Sequence, residues 1–419
     1  MIFAQARELI TPTILTTMSG YANRTDNFLG VHDDLFVKVI YMENNGTSLM
    51  FIAFDLCHYL YDLNDTVMKY ASSVFKIPYD NIIVNYSHTH AGPKITSATE
   101  RDDLSPLHDF FIERTKACID RAYLNSFEGT LQFTRTTGRW NVNRRLSTPE
   151  GMAMRPNHDA PTDDEMNLLL IRDMENNIRT VIVNYSCHPV TLSSTLFLSA
   201  EFPGRLCQLI EAEYYGSMAF FLQGAAGNLR PLVTADKGRF KACSFRELDE
   251  FASSLAMEIK RVIHSEPFEI IEPEFKSVKF ILKLPIEPLD KSAYGLQLQK
   301  FEGYLRRRME TVLANWEKIP DFCNIHCGIA RLTDDLYIPY MGGEILYEVK
   351  QIVNEVFGTA QTIFLGYQEA MTYIPTDKII DEGGYEGFNA PVFTGFRGPF
   401  KKGIDKIIKN MFEENWERL

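Results

Sequence analysis

The chain has 419 residues, of which 45% are hydrophobic and 23% are charged, and its formal net charge is −12. This length allows one large α/β domain, or two smaller ones, with a sizeable core. The excess of acidic side chains argues against a surface for nucleic acid or for an anionic membrane. No apolar run reaches the ~18 residues of a membrane-spanning helix, and the N-terminus lacks the basic and apolar regions of a signal peptide, so we expect no membrane anchor.

The seven cysteines are scattered along the chain, and no pair has the spacing of a zinc ribbon. Reduced, buried thiols in a cytoplasmic protein are the simplest interpretation of this pattern. We therefore expect a cytoplasmic protein. The sequence gives no indication of its oligomeric state.

The first third of the chain alternates strand and helix patterns. Residues 9–20 are expected to form an irregular leading segment that turns at Ser19-Gly20. Apolar alternation in residues 35–41 and 48–54, around Asn44-Asn45-Gly46, predicts a β-hairpin. A helical pattern from residue 60 to 70 then leads into a short buried strand at 82–85. A second amphipathic helix spans residues 107–118, and a short strand covers 131–136.

The middle of the chain continues this alternation. Residues 149–164 are polar and contain proline, so a loop is predicted there. Strands at 166–172 and 179–185 flank a turn, and a helix at 203–213 precedes a strand at 219–222. A small-residue loop, 223–228, separates that strand from an amphipathic helix with apolar positions from 248 to 262.

The composition changes around residues 265–290, where Glu and Pro are frequent, and we place a soft subdomain boundary there. The predicted elements that follow are a strand at 278–284, a charged helix at 291–316, strands at 325–332 and 336–340, a helix at 349–356, a strand at 362–365 and a C-terminal helix within 401–419. Strands alternating with helices predict a single α/β catalytic domain over residues 1–419, built on a mixed β-sheet with helices on both faces. Ligands in such sheets bind beyond the C-terminal ends of the strands.

Polar side chains follow several of these strands. The strand at 82–85 runs into Ser87-His88-Thr89-His90, and histidines at i and i+2 of an extended chain point the same way. The strand at 179–185 ends in Ser186-Cys187-His188, and the loop 223–228 and the stretch Glu369–Tyr373 follow two further strands. A lone His-x-His pair is more often surface chemistry than a metal site. The convergence of several polar strand ends nevertheless indicates an enzyme with a small-molecule substrate.

Separated motifs in a fixed order strengthen this interpretation. They are Ile10-Thr11-Pro12, Met18-Ser19-Gly20-Tyr21, Gly30-Val31-His32-Asp33-Asp34, Ser87 to Pro93, Asn143-Arg144, Cys187-His188-Pro189, Gln223 to Pro231, Tyr373-Ile374-Pro375-Thr376 and Tyr385-Glu386-Gly387. Together they resemble the catalytic domain of the neutral/alkaline non-lysosomal ceramidases over residues 10–387. The immunoglobulin-like domain of that family is expected to have no counterpart here.

The resemblance implies one zinc ion held by His88, His188, Glu344 and Tyr373. It implies catalytic or substrate-facing roles for His90, Arg144 and Tyr385. Such an N2O2 ligand set suits zinc with a position open for water, which can attack an amide carbonyl. Each assignment has an alternative: Glu344 can favour a helix N-terminus, the tyrosines can pack in the core, His188 can be a buried hydrogen-bonded histidine, and Arg144 can be solvated.

One loop departs from the family. The family reads Asn-Ala-Gly-Asp-Val-Ser-Pro where this chain has Ala225 to Pro231, so Asn228 and Arg230 replace the Asp and the Ser. A guanidinium near the metal suits a polar or anionic substrate, bound by Arg230 and Asn228, better than ceramide. Ceramide hydrolysis itself and a non-hydrolytic binding protein remain alternatives, and a phosphate loop at 224–227 is a weak one because no Lys-Ser/Thr follows.

Overall fold

A computed structural model of the protein describes residues 1–22, 24–57, 61–95, 104–299, 301–368 and 372–419. The strands are β1 Ile2–Leu9, β2 Gly30–Val31, β3 Phe36–Asn44, β4 Thr47–Phe54, β5 Ile82–Tyr86, β6 Ser126–Thr137, β7 Asn141–Thr148, β8 Gly151–Asn157, β9 Glu165–Asp173, β10 Ile178–Tyr185, β11 Phe197–Leu198, β12 Met218–Gln223, β13 Leu229–Pro231, β14 Ala235–Asp236, β15 Arg239–Phe240, β16 Glu269–Ile271, β17 Lys276–Pro285, β18 Phe322–Thr333, β19 Leu336–Met341, β20 Glu344–Ile345, β21 Gln361–Thr362 and β22 Tyr373–Ile374. The helices are α1 Tyr61–Phe75, α2 Ser105–Leu124, α3 Glu201–Glu213, α4 Phe245–Ser265, α5 Lys291–Leu298, α6 Gly303–Ala314, α7 Tyr347–Val356, α8 Asp377–Glu382, α9 Ala390–Phe393 and α10 Ile404–Trp416.

The larger sheet has the strand order β12-β10-β9-β6-β1-β3-β4-β5, and β16 pairs with β6. Most of its pairs are antiparallel, but β4 with β5 and β10 with β12 are parallel. This mixed α/β architecture confirms the predicted fold class. Among the described residues, no helix is both long and apolar enough to cross a lipid bilayer.

Successive side chains of a strand point to opposite faces of the larger sheet, so the core has a separate layer on each face. In β3, Val37 and Val39 face α1 and α2, whereas Ile40 and Met42 face a second sheet. At the other end of the sheet, α3 and α4 cover β9, β10 and β12. The helices therefore lie on one face of the larger sheet.

The second sheet has the order β17-β18-β19-β21 and packs on the other face of the larger sheet. Its outer face is covered by α7 and α10 through Val349, Val353, Ile404 and Ile408. Residues 265–290, the predicted soft boundary, are where the chain passes from one sheet to the other. The two sheets pack face to face around a shared core. Helices cover the outer face of each sheet.

The structure differs from the prediction at one unpredicted strand and three predicted elements. The strand β1 was not predicted, because it is paired on both sides and largely buried in mid-sheet, so its sequence pattern does not alternate. The predicted loop 149–164 contains β8, a partly exposed strand that pairs with β7. The charged helix 291–316 is two helices, and the second, α6, starts at Gly303 with a φ of +60°. The strand 362–365 is reduced to β21 and a bridge at Leu365.

The C-terminal ends of β5 and β12 come together although the strands lie at opposite edges of the larger sheet. The Asn85 side chain donates to the Gln223 carbonyl oxygen at 3.3 Å and accepts from the Gln223 N–H at 2.8 Å. The sheet therefore curls until the loops that follow β5, β10 and β12 meet at one place.

Candidate metal centre and active site

Gln223, the last residue of β12, fixes the two histidine loops relative to each other. Its side-chain amide donates to the carbonyl oxygen of Ser87 at 3.0 Å and to that of Cys187 at 2.9 Å. These residues immediately precede His88 and His188. One buried amide therefore sets the distance between the two histidine backbones.

The two rings of the His-x-His pair meet, but not for the reason that the sequence suggested. His88 has a φ of +65°, so the chain leaves the extended conformation after β5. The His88 and His90 rings still lie with their centroids 4.9 Å apart. The extended-chain argument was therefore wrong, and a left-handed turn brings the rings together.

Three acceptor atoms converge at the floor of this site. Glu344 Oε2 lies 3.3 Å from His88 Nε2 and 3.6 Å from His188 Nε2. Glu344 Oε2 is buried and makes no hydrogen bond of ordinary geometry within the described chain. His88, His188 and Glu344 form a group that can hold a metal ion, and Cys57, His88 and His90 form another.

The hydrogen bonds of the Nδ1 atoms of His88 and His188 determine whether their Nε2 atoms can bind a metal. His88 Nδ1 lies 2.6 Å from the Cys57 carbonyl oxygen, and His188 Nδ1 lies 3.2 Å from that of Ala226. A carbonyl oxygen only accepts, so each Nδ1 carries a proton, and each imidazole in its neutral form keeps its lone pair on Nε2. Two lone pairs and a carboxylate facing one another fit a cation.

The electrostatics of these three groups are strongly coupled. Burial lowers the pKa of His88, but the neighbouring Cys57 and Glu344 charges outweigh it and raise that pKa to about 10. Burial and the charge of His88 lower the pKa of His188 well below its ordinary value. Burial opposes ionisation of Glu344, yet His88 brings its pKa down to about 2. The carboxylate is therefore charged at neutral pH.

Glu344 and Tyr373 are held side by side by two short strands. In the parallel pair β20 and β22, Glu344 is in register with Tyr373. Glu344 thus lies on a strand, three residues before α7 starts, and the alternative that it serves a helix N-terminus was wrong. The Tyr373 ring stacks on His188 with centroids 6.5 Å apart and an interplanar angle of 6°.

Arg144 is buried beside these tyrosines. Its Nε donates to Glu386 Oε1 at 2.7 Å, and its Cζ lies 4.9 Å from the Tyr373 ring and 5.8 Å from the Tyr385 ring. Its Nη2 is buried without a hydrogen bond within the described chain. Since Arg144 is 4% exposed, the solvated alternative for this residue was wrong.

A cavity of about 600 Å³ opens above this floor. His88, His90, Glu344, Tyr373 and Tyr385 line it. His90 Nε2 reaches to 3.0 Å from His188 Nε2, and the His90 ring packs edge-on against Tyr21. Most of the proposed ligand and catalytic side chains therefore face one space that is large enough for a small molecule, whereas His188 and Arg144 are not among its described lining residues.

Comparisons with known proteins identify the chain's relatives. The sequence profile of the family described as neutral/alkaline non-lysosomal ceramidase, N-terminal, matches residues 7–247. The chain belongs to this family. The crystal structure of neutral ceramidase from Pseudomonas aeruginosa superposes with a TM-score of 0.75 over 100% of this chain and 75% of that one, at 17% sequence identity, which shows the shared fold. A structure titled ceramidase complexed with C2 superposes with a TM-score of 0.76, at 16% identity, with the same coverage.

Two curated proteins, both named neutral ceramidase, also match this ceramidase-family chain. The one from Drosophila pseudoobscura pseudoobscura is 26% identical and the one from Drosophila melanogaster 25%, each over 222 residues. Each alignment covers 49% of this chain and 31% of the relative. The chain thus matches about a third of the length of these relatives.

The side chains of the two residues that depart from the family have their hydrogen-bond and stacking partners outside the cavity lining. The Asn228 side chain is buried, donates to Glu348 Oε2 at 2.8 Å and accepts from the Tyr347 N–H at 3.0 Å. Arg230 stacks on Phe240 with its Cζ 4.3 Å from the ring centroid. Neither Asn228 nor Arg230 is among the described residues that line the cavity, but Arg230 interacts electrostatically with Tyr21 and Tyr373, which do line it.

Sequence reasoning missed three residues that shape this ceramidase-family site. The hydroxyl of Tyr367 lies 3.4 Å from His188 Nδ1, and the Cys57 Sγ lies 3.9 Å from His88 Nδ1. The Glu201 carboxylate accepts from the N–H groups of Thr191 and Leu192, just after His188. No local pattern marks these residues, and Tyr367 stands two residues before the predicted strand-end stretch Glu369–Tyr373. Glu369, in the same stretch, lies outside the described residues.

Proposed function

We propose that this ceramidase-family chain is a zinc-dependent amidohydrolase that cleaves the C–N bond of an N-acyl amide with metal-activated water. The observation that carries the proposal is the convergence of His88 Nε2, His188 Nε2 and Glu344 Oε2 beneath the cavity, in a group that can hold a metal ion. A cation that binds there would replace the proton that the raised pKa of His88 keeps in this group.

The proposed ligands are His88, His188, Glu344 and Tyr373, around one ion. Two imidazole nitrogens and two oxygens suit zinc and leave a position open for water or substrate. A divalent ion held there lowers the pKa of a bound water and polarises an amide carbonyl. Tyr373 requires such an ion to bind as a phenolate, because burial raises its pKa well above the ordinary value.

Three further side chains supply the protein's part of the reaction. The Arg144 Nη2 is free to donate to the oxyanion that forms from the carbonyl. Burial raises the pKa of Tyr385 above its ordinary value, so its hydroxyl keeps its proton and also donates. His90, which lines the cavity, is placed to hold a proton and to pass it to the leaving amine.

We further propose that the preferred substrate is a polar or anionic N-acyl amide and not ceramide. The replacement of the family's Ser by Arg230 motivates this, because Arg230 interacts electrostatically with Tyr21 and Tyr373 of the cavity lining. Ceramide is the second candidate substrate, and the names of the Drosophila relatives favour it. A cytoplasmic location is also a proposal, supported by seven buried cysteines that are all free thiols.

The test combines metal analysis with turnover. Zinc content is measured in the wild type, in His188→Ala and in a control, His264→Ala, which changes an exposed histidine of α4. We expect one zinc per chain in the wild type and the control, and loss of zinc in His188→Ala. A panel of N-acyl amides that includes ceramide is assayed in parallel. Equal zinc in all three proteins would refute the ligand set, and zinc without turnover would favour a binding protein.

A further inference from the structure

The cavity is lined by more positive charge than the composition of the chain suggests. Among the described residues, its basic lining side chains are Arg24, Lys94, Arg307 and Arg308, and its acidic one is Glu344 at the floor. The whole chain carries a net charge of −12. A basic opening on an acidic protein concentrates positive potential where a substrate enters.

Two of these arginines are fixed by neutral partners. Arg24 donates from Nη1 to the Thr195 carbonyl oxygen at 3.1 Å and from Nη2 to those of Ser19 and His90. Arg308 donates from Nη2 to the Thr394 carbonyl oxygen at 2.5 Å. These bonds hold the two guanidinium groups in position at the cavity wall.

Arg307 is the basic residue that a ligand reaches most directly. It is exposed on α6 at the cavity wall. Within the described parts of the chain, no carboxylate lies at ion-pairing distance from it, whereas its neighbour Arg306 pairs with Glu310 at 3.0 Å and does not line the cavity. Arg306 and Arg307 lie side by side on one helix, but they differ in their charged partners and in their position relative to the cavity.

The remaining lining near the opening is apolar. Ile14 and Leu15 are 45% and 65% exposed there, and Leu305 and Phe393 line the wall on the α6 side. Exposed apolar side chains next to guanidinium groups match a ligand that is itself amphiphilic. Its charged group would sit at the opening, at a distance from the metal floor.

We propose that the opening is an anion subsite in which Arg307 selects N-acyl amides that carry a carboxylate, sulfonate or phosphate remote from the scissile bond. This deepens the proposed amidohydrolase function and rests on it for the cleavage step. It assigns anion recognition to Arg307 on α6 and not to Arg230, which lies outside the described cavity lining.

The test compares two substrates that differ only in charge, N-lauroyl aminocaproate and its primary amide. The ratio of their kcat/KM values is measured for wild type, Arg307→Gln, Arg307→Glu and the control Arg306→Gln, each with its metal. We expect the wild type to prefer the carboxylate. Arg307→Gln should lower the ratio about threefold to fivefold, as for an exposed ion pair, and Arg307→Glu should lower it further. Arg306→Gln should leave the ratio unchanged.

Salt and direct binding separate the two proposals. Raising the ionic strength should weaken the preference in the wild type, because exposed charges are screened. Turnover with equal ratios in wild type and Arg307→Gln would overturn the anion subsite and leave the amidohydrolase intact. If neither compound is cleaved, the proposed amidohydrolase activity is refuted. Calorimetric binding of the same two compounds then tests the anion subsite by itself. Tighter binding of the carboxylate that Arg307→Gln abolishes supports it, and equal binding refutes it.

Discussion

Replacing Tyr373 with Phe tests whether this residue binds the metal as a phenolate. At about pH 8 a tyrosine with an ordinary pKa of ~10 is roughly 99% protonated, and burial raises the pKa of Tyr373 further. A phenolate ligand must therefore lose one proton when the metal binds. We expect wild type to release about one proton more than Tyr373→Phe. The variant keeps the ring that stacks on His188 and under Arg144, and three ligands remain.

The assay is calorimetric zinc titration of metal-free protein in two buffers with different ionisation enthalpies. The difference in heat between the two buffers gives the number of protons released. The zinc affinity of the wild type should also rise with pH more steeply than that of the variant, by a factor of about ten per pH unit. The matched control is Tyr367→Phe. That tyrosine is also buried, but its hydroxyl faces His188 Nδ1, the nitrogen opposite to the one that faces Glu344. Equal proton release in wild type and Tyr373→Phe, or a loss only in Tyr367→Phe, would refute the phenolate assignment.

Three other changes probe the surroundings of the site. In Gly20→Ala the new Cβ would lie 2.4 Å from the His90 ring. We therefore expect this variant to retain zinc but to lose about 100-fold in kcat/KM. The control Gly46→Ala, also at positive φ but next to open space, should keep full activity. Gln223→Met loses both bonds that fix the histidine loops, and zinc affinity, measured with a competing chelator, should fall about 10- to 100-fold. Burial raises the pKa of Glu201 from 4.5 to about 7, so the folded chain holds this proton more tightly and stability falls as the pH rises across that range. Urea denaturation should show this pH dependence in the wild type and not in Glu201→Gln.

Several elements were predictable because their causes are local. The hairpin of β3 and β4 turns at Asn45 and Gly46, which have φ values of +49° and +79°, and these residue types favour such a turn. The amphipathic pattern of α4 and its capping box at Ser244 are likewise contained in a short stretch of sequence. The second sheet was not predicted as a separate layer, because strand pairing over long distances leaves no local mark.

The same distinction divides the site. The sequence by itself predicted the proposed metal ligands, since His88, His188, Glu344 and Tyr373 stand in recognisable motifs, and the folded chain brings them together. Only the tertiary structure decided that the Asn228 side chain bonds to Glu348 of α7 and that Arg230 stacks on Phe240. Their neighbours come from distant parts of the chain, and a side chain's direction depends on those neighbours. For the same reason the basic opening at α6, with no motif of its own, became visible only once the chain was folded.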